Sequence, residues 1–153
     1  MKLSSQNYYE DINVGQTIGP FVKNIDRKQL VMYAGASLDF NEFHFDDDVA
    51  KKAGHKGIII HGALKSAWLA KLLVDFAGNA GNLKKFNVSY RGVDFPYENL
   101  KLSGKVIKKE IINSIGIIEL EVNLENAEGK VTTPCFAEVE LPFKKYKSLE
   151  KRK

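Results

Sequence analysis

The second half of the chain alternates apolar and polar residues, which is typical of antiparallel strands with one face in water. The alternation is clearest in residues 118–125, where every second residue is apolar. It recurs in residues 100–106 and 135–141, and residues 83–93 are a fourth candidate. We therefore predict an antiparallel sheet built from the second half of the chain.

The first half carries helical signals. Residues 63–76 are apolar at all but four positions, so this candidate helix is covered on most sides. Asp26 can cap a helix over 27–36, and a short helix follows Asp46 and stops at Gly54. Gly15 and the Gly19-Pro20 pair bracket a possible short strand. Helices followed by a run of strands indicate an α+β domain, with the sheet wrapped around the long apolar helix.

Composition places the chain among globular proteins and excludes disorder and fibres. Of its 153 residues, 44% are hydrophobic and 27% are charged, as in a single globular domain. Cys135 is the one cysteine, which excludes an intrachain disulfide and a cysteine-based metal cluster and fits a reducing compartment. The sequence contains neither a signal peptide pattern nor a stretch of about 18 apolar residues. We expect a cytoplasmic protein with no membrane partner.

The formal net charge of +4 comes from the end of the chain. Residues 144–153 carry a net charge of +5, which leaves −1 for residues 1–143. We predict one domain over 1–143 and a basic, solvated tail over 144–153. Nucleic-acid binding would require salt-dependent retention that depends on this tail, and the nearly neutral body argues against it.

Asp39, Asn41 and His44 lie within six residues, between two predicted helices. A loop in such a position can direct its side chains into a cleft. A carboxylate and an imidazole that meet at one water form an acid/base pair suited to neutral pH, because imidazoles titrate near there. The same residues also fit a structural role, with Asp39 capping a turn and His44 packed in the interior.

His61 and Gly62 stand where the long apolar helix begins. A glycine there lets a ligand approach closely, and the free N–H groups of a helix start can hold a developing oxyanion or a thioester carbonyl. Gly62 is equally consistent with a capping or packing glycine.

Together the two segments resemble the MaoC-like family of hot-dog-fold hydratases and dehydratases. The matching residues are Tyr33-Ala34, Ser37-Leu38-Asp39, Asn41-Glu42, His44, Asp46, Ala50, Gly54 and His61-Gly62-Ala63-Leu64. The resemblance implies a single hot-dog domain, with the antiparallel sheet wrapped around a long central helix and a short helical overhang before it.

The resemblance also implies an activity. Family members hydrate the α,β double bond of enoyl thioesters, bound to CoA or acyl-carrier protein, or run the reverse dehydration. Asp39 and His44 would be the catalytic pair, and Asn41, His61, Gly62 and Ala63 would form the substrate-binding site. We expect no metal and no cofactor, and a homodimer or higher homo-oligomer.

Two residues depart from the family pattern. Leu38 stands where glycine is usual and Glu42 where proline is usual. Because leucine does not readily adopt a positive φ, we expect the loop to differ locally or the substrate wall to be bulkier. The departure at Leu38 keeps a second function open, a non-catalytic thioester-binding subunit that pairs with an active partner. A hot-dog thioesterase is a third, and the loop pattern from Asp39 to His44, which resembles that of the hydratases, argues against it.

Overall fold

The fold is given by a computed structural model that describes residues 6–144. Within that range the chain forms five strands, β1 (Thr17–Lys23), β2 (Asn82–Val88), β3 (Leu100–Ile112), β4 (Ile115–Glu125) and β5 (Val131–Leu141). All neighbouring pairs are antiparallel, and the order across the sheet is β1-β3-β4-β5-β2.

The alternation of apolar and polar residues corresponds to strands with one buried face, as predicted. In β4 the apolar residues of the alternating run are fully buried, whereas Glu119, Glu121 and Glu125 lie on the outer face. A tight turn at Asn113 and Ser114, both with positive φ, joins β4 to β3. The sheet therefore has one face in the core and one face in water.

Three helices lie before β2: α1 (Arg27–Ser37), α2 (Asp47–Lys52) and α3 (Gly62–Ala77). The Asp26 carboxylate accepts a hydrogen bond from the Gln29 N–H at the start of α1, and Asp46 caps α2 in the same way. Gly78, with a φ of 71°, ends α3. These are the helices and caps that the sequence predicts.

The long helix α3 is the centre of the core. Leu69, Leu72, Leu73 and Phe76 are buried on it, and the helix contacts β2, β4 and β5. The predicted α+β hot-dog arrangement, a sheet around a central helix with short helices before it, is confirmed. Within residues 6–144, no helix has the length and apolar character needed to cross a membrane.

Two strand predictions had the wrong bounds. Gly19 and Pro20 do not flank β1 but lie inside it, where the pairing with β3 shifts register. Proline has no N–H to donate, so an irregular position on an edge strand accommodates it. The fourth predicted strand ends at Val88 rather than at 93, and beyond it the backbone N–H groups of Ser89 and Arg91 still donate to Pro134 and Thr132.

The predicted basic tail, 144–153, lies outside the described residues except for Lys144. The Lys144 ammonium pairs with the Asp11 carboxylate. The limits of the domain, 1–143, stay a prediction.

Candidate active site

Two segments build the site: the loop between α1 and α2, and the first turn of α3. They bring together three of the predicted residues. A carboxylate oxygen of Asp39 and one ring nitrogen each of His44 and His61 all lie within 4.8 Å of one another. Gly62 follows His61 directly. Asn41 is exposed, and its side chain makes no hydrogen bond to the described residues.

Asp39 and His44 face each other. The distance from Asp39 Oδ2 to His44 Nε2 is 3.8 Å, which is longer than a direct hydrogen bond but suited to a shared water. The Asp39 side chain is 46% exposed and that of His44 is 7% exposed. The pair therefore has one partner open to solvent and one anchored in the interior.

The protein fixes the orientation of the His44 ring. His44 Nδ1 lies 2.8 Å from the carbonyl oxygen of Ile59, and a carbonyl can only accept, so Nδ1 carries the proton and donates it. In the neutral ring this leaves the lone pair on Nε2, the nitrogen that faces Asp39. His44 is thus held as an acceptor toward the space beside the carboxylate.

The turn that carries Asp39 is made by Leu38 in the left-handed conformation, with φ 61° and ψ 19°. Ser37 Oγ accepts from the Asp39 N–H, and Asp39 Oδ1 accepts from the Asn41 N–H. Leu38 adopts the positive φ that leucine does not readily take, so the turn forms here without a glycine. A local difference from the family's loop, or a bulkier substrate wall, stays a prediction. Leu38 is 77% exposed, and its left-handed backbone conformation costs about 1–2 kcal/mol.

His61 is fully buried and caps α3 without a side-chain hydrogen bond to the helix. Its Nε2 lies 3.4 Å from the backbone oxygen of Asp39, and its Nδ1 has no partner among the described residues. Burial, together with the neighbouring His44 imidazole, lowers the pKa of His61, which favours the neutral ring. The rings of Tyr33 and His61 pack edge to face, with 5.0 Å between their centroids.

Gly62 is the first residue of α3. Within residues 6–144, neither its N–H nor that of Ala63 has a hydrogen-bond partner, as expected at a helix start. A Cβ at position 62 would lie 3.2 Å from the Tyr90 ring. The glycine therefore serves close packing against Tyr90, and it also leaves the two N–H groups available to a ligand.

The arrangement suits a hydrogen-bonded water better than a metal ion. Nitrogen ligands direct their in-plane lone pairs at the metal. The rings of His44 and His61 are stacked with only 18° between their planes, so their lone pairs cannot converge on one ion unless a ring rotates. Asp39 could bind a metal ion together with both histidines only after one of the two rings had rotated.

Sequence reasoning missed a buried group beneath the site. Lys65 is one of the four polar residues that interrupt the apolar run 63–76, yet its side chain is 2% exposed and pairs with Asp94 at 2.7 Å. The hydroxyl of Thr132 donates to the same carboxylate oxygen. A lysine among the apolar residues of α3 was the available signal, but its partner lies 29 positions away.

Comparison with known proteins identifies the family to which the chain is similar. The family model described as "MaoC like domain" matches residues 12–128. The (R)-specific enoyl-CoA hydratase of Rhodospirillum rubrum is 33% identical over 67 residues, which cover 44% of this chain and 46% of that protein. The mitochondrial 3-hydroxyacyl-[acyl-carrier-protein] dehydratase of Arabidopsis thaliana is 27% identical over 105 residues, which cover 68% of this chain and 55% of that protein. The chain thus spans about half the length of these curated relatives.

Solved structures agree on the fold. The (R)-hydratase from A. caviae involved in PHA biosynthesis superimposes with a TM-score of 0.78 at 22% identity, covering 87% of this chain and 99% of that one. The R-hydratase PhaJ1 from Pseudomonas aeruginosa gives a TM-score of 0.79 at 23% identity, covering 90% and 86%.

Proposed function

Since the chain belongs to the MaoC-like domain family, we propose that it is a hydro-lyase that adds water reversibly across the α,β double bond of enoyl thioesters. The observation that carries the proposal is the pairing of Asp39 Oδ2 with His44 Nε2 across 3.8 Å, next to the open start of α3. The names of the two curated relatives, an enoyl-CoA hydratase and a hydroxyacyl-carrier-protein dehydratase, support the same reaction class.

The proposed chemistry begins with a water held between the two side chains. One member of the pair takes a proton from this water as its oxygen bonds to the β-carbon of the thioester. The proton now held by the pair is then delivered to the α-carbon, so that water is added across the double bond as H and OH and the pair returns to its starting protonation state. Such acid/base assistance contributes about 10²–10⁴-fold.

The start of α3 supplies the second element of the mechanism. Electron density moves to the thioester oxygen as the new C–O bond forms, and the Gly62 N–H would donate to that oxygen. Removing a donor of this kind costs about 3 kcal/mol of transition-state stabilisation. His61 would contribute by holding the helix start beside His44, with Asn41 and Ala63 at the rim of the substrate site.

A homodimer joined through sheet edges is part of the proposal. Within the described residues, β1 and β2 are the two edges of the sheet and each has a single partner strand. An unpaired strand edge can add a second copy of the sheet. Light scattering on the purified protein should give twice the mass of the chain, and a monodisperse monomer would contradict this part.

The test of the reaction is the ultraviolet absorbance of crotonyl-CoA after addition of the purified protein. Hydration removes the conjugated double bond, so the absorbance should fall with no release of free thiol. Release of thiol would instead indicate a thioesterase. No change with crotonyl, longer and branched enoyl thioesters would favour the non-catalytic subunit.

A further inference from the structure

A lysine and an aspartate form a buried ion pair directly beneath the start of α3. The Lys65 Nζ to Asp94 Oδ2 distance is 2.7 Å, and the two side chains are 2% and 0% exposed. Lys65 Nζ also donates to the Gly92 carbonyl at 2.9 Å, and Thr132 Oγ1 donates to Asp94 Oδ2 at 2.7 Å. Because the desolvation of two charges offsets much of their attraction, such a pair is weak evidence for a role in stability alone.

The backbone around this pair reaches both halves of the site. The Asp94 carbonyl accepts from the Ile60 N–H at 2.8 Å, one residue before His61. The Ile59 carbonyl accepts from His44 Nδ1 at 2.8 Å. Two consecutive residues thus connect Asp94 on one side to the His44 ring on the other, and they lead directly into α3.

The ion pair also fixes the segment that packs on Gly62. Lys65 in the first turn of α3 holds the Gly92 carbonyl, and the same segment presents the Tyr90 ring to Gly62. The Tyr90 hydroxyl is hydrogen bonded to Ser66 Oγ on the next turn. Ring, helix start and ion pair form one continuous packed unit.

We propose that Lys65, Asp94 and Thr132 are positioning residues, which set the Gly62 N–H relative to the His44 ring for the reaction. This inference rests on the proposed function. A misplacement of a donor that acts mainly in the transition state lowers kcat and kcat/KM together and leaves KM nearly unchanged. Loss of general stability would instead lower the amount of folded enzyme without changing turnover per folded molecule.

The test uses Thr132, because its hydroxyl can be removed without leaving a buried charge unpaired. Thr132→Val should lower kcat about tenfold with KM within about twofold, and Thr132→Ser should restore most of it. Thr133→Val is the matched control, since Thr133 is also buried and its hydroxyl has no partner among the described residues. It should keep the wild-type kcat.

The double variant Lys65→Met/Asp94→Leu removes both charges at once, which avoids an isolated buried charge. It should fold and lose at least about tenfold in kcat. Wild-type kcat per folded molecule in this variant, or in Thr132→Val, would overturn the proposal, whatever the change in thermal stability.

A second readout keeps this inference separate from the proposed function. The amide resonances of Ile60 and Gly62 in ¹H–¹⁵N spectra should shift in Thr132→Val and stay in place in Thr133→Val. If the wild type hydrates no enoyl thioester, the proposed function fails. The Ile60 and Gly62 resonances then test by themselves whether Thr132 positions the start of α3. Unshifted Ile60 and Gly62 signals in Thr132→Val would then overturn it.

Discussion

The imidazole of His44 is stacked on the imidazole of His61, with ring centroids 3.7 Å apart and 18° between the planes. This contact joins the loop that carries Asp39 to the first turn of α3. Because two positive charges so close together repel, the stacked pair favours a state in which at least one ring is neutral. The lowered pKa of the buried His61 is consistent with that state.

The first prediction concerns pH. A histidine whose pKa is lower in the folded state than its unfolded value of about 6.5 binds more protons when unfolded, so the free energy of unfolding falls as the pH drops below about 6.5. The stabilising contribution of neutral His61 is complete above that pH. Urea unfolding at about pH 7.5 and about pH 5 measures the change.

His61→Gln should make this pH dependence shallower, because the titrating ring is gone. His55→Gln is the control, since His55 is a half-buried histidine outside the stacked pair. An unaltered slope in His61→Gln would contradict the assignment.

The second prediction concerns the strained turn at Leu38. Leu38→Gly should raise the free energy of unfolding by about 0.5 kcal/mol, because relief of about 1–2 kcal/mol of left-handed strain exceeds the added entropy of an unfolded glycine. Leu38→Ala keeps the strain and should bring no gain. Denaturant midpoints of the two variants give the difference, and equal midpoints would show that the turn is not strained.

The third prediction compares two helical glycines. Gly35 lies in α1, and no atom of residues 6–144 lies within 4 Å of an added Cβ, so Gly35→Ala should stabilise the protein by about 0.5–1 kcal/mol. At Gly62 the added methyl group meets the Tyr90 ring at 3.2 Å, so the gain should be smaller. Thermal unfolding measures both.

Gly62→Ala should also lower the rate of hydration by about tenfold, because the ring has to move beside the N–H groups of the helix start. Gly35→Ala should keep the wild-type rate. Equal rates in the two variants would argue against a role for the start of α3.

The fourth prediction concerns Cys135. Burial on β5 raises the pKa of this thiol to about 11, so the reactive thiolate is scarce near neutral pH. A thiol reagent should therefore label no cysteine in the native protein and one per chain after unfolding. Rapid labelling of the native protein would contradict the burial of this strand.

The fold could be predicted largely from local patterns, and the parts that could not depend on distant contacts. The alternation in β4 and the long apolar run in α3 both reflect which residues are buried, and that pattern can be seen in residues close together in the sequence. The pairing of Lys65 with Asp94 joins α3 to the segment between β2 and β3, and no periodic pattern of neighbouring residues predicts it.

Prediction of the site had a similar limit. Spacing and resemblance brought Asp39, His44 and His61 into consideration, and the structure places these three together. The left-handed Leu38 could not be predicted from propensity, because the surrounding turn overrides the preference of a single residue. The hydrogen bond from His44 to Ile59 depends on where the segment before α3 passes, which only the packed structure defines.

The most direct test of the central claim is the hydration rate of crotonyl-CoA by Asp39→Asn and by Asp48→Asn, measured beside the wild type. Asp39→Asn keeps the size of the side chain but removes the carboxylate that faces His44, so the rate should fall about 10²–10⁴-fold. Asp48 is exposed in the first turn of α2, and its variant should keep the wild-type rate. A wild-type rate in Asp39→Asn would contradict the role of the Asp39–His44 pair.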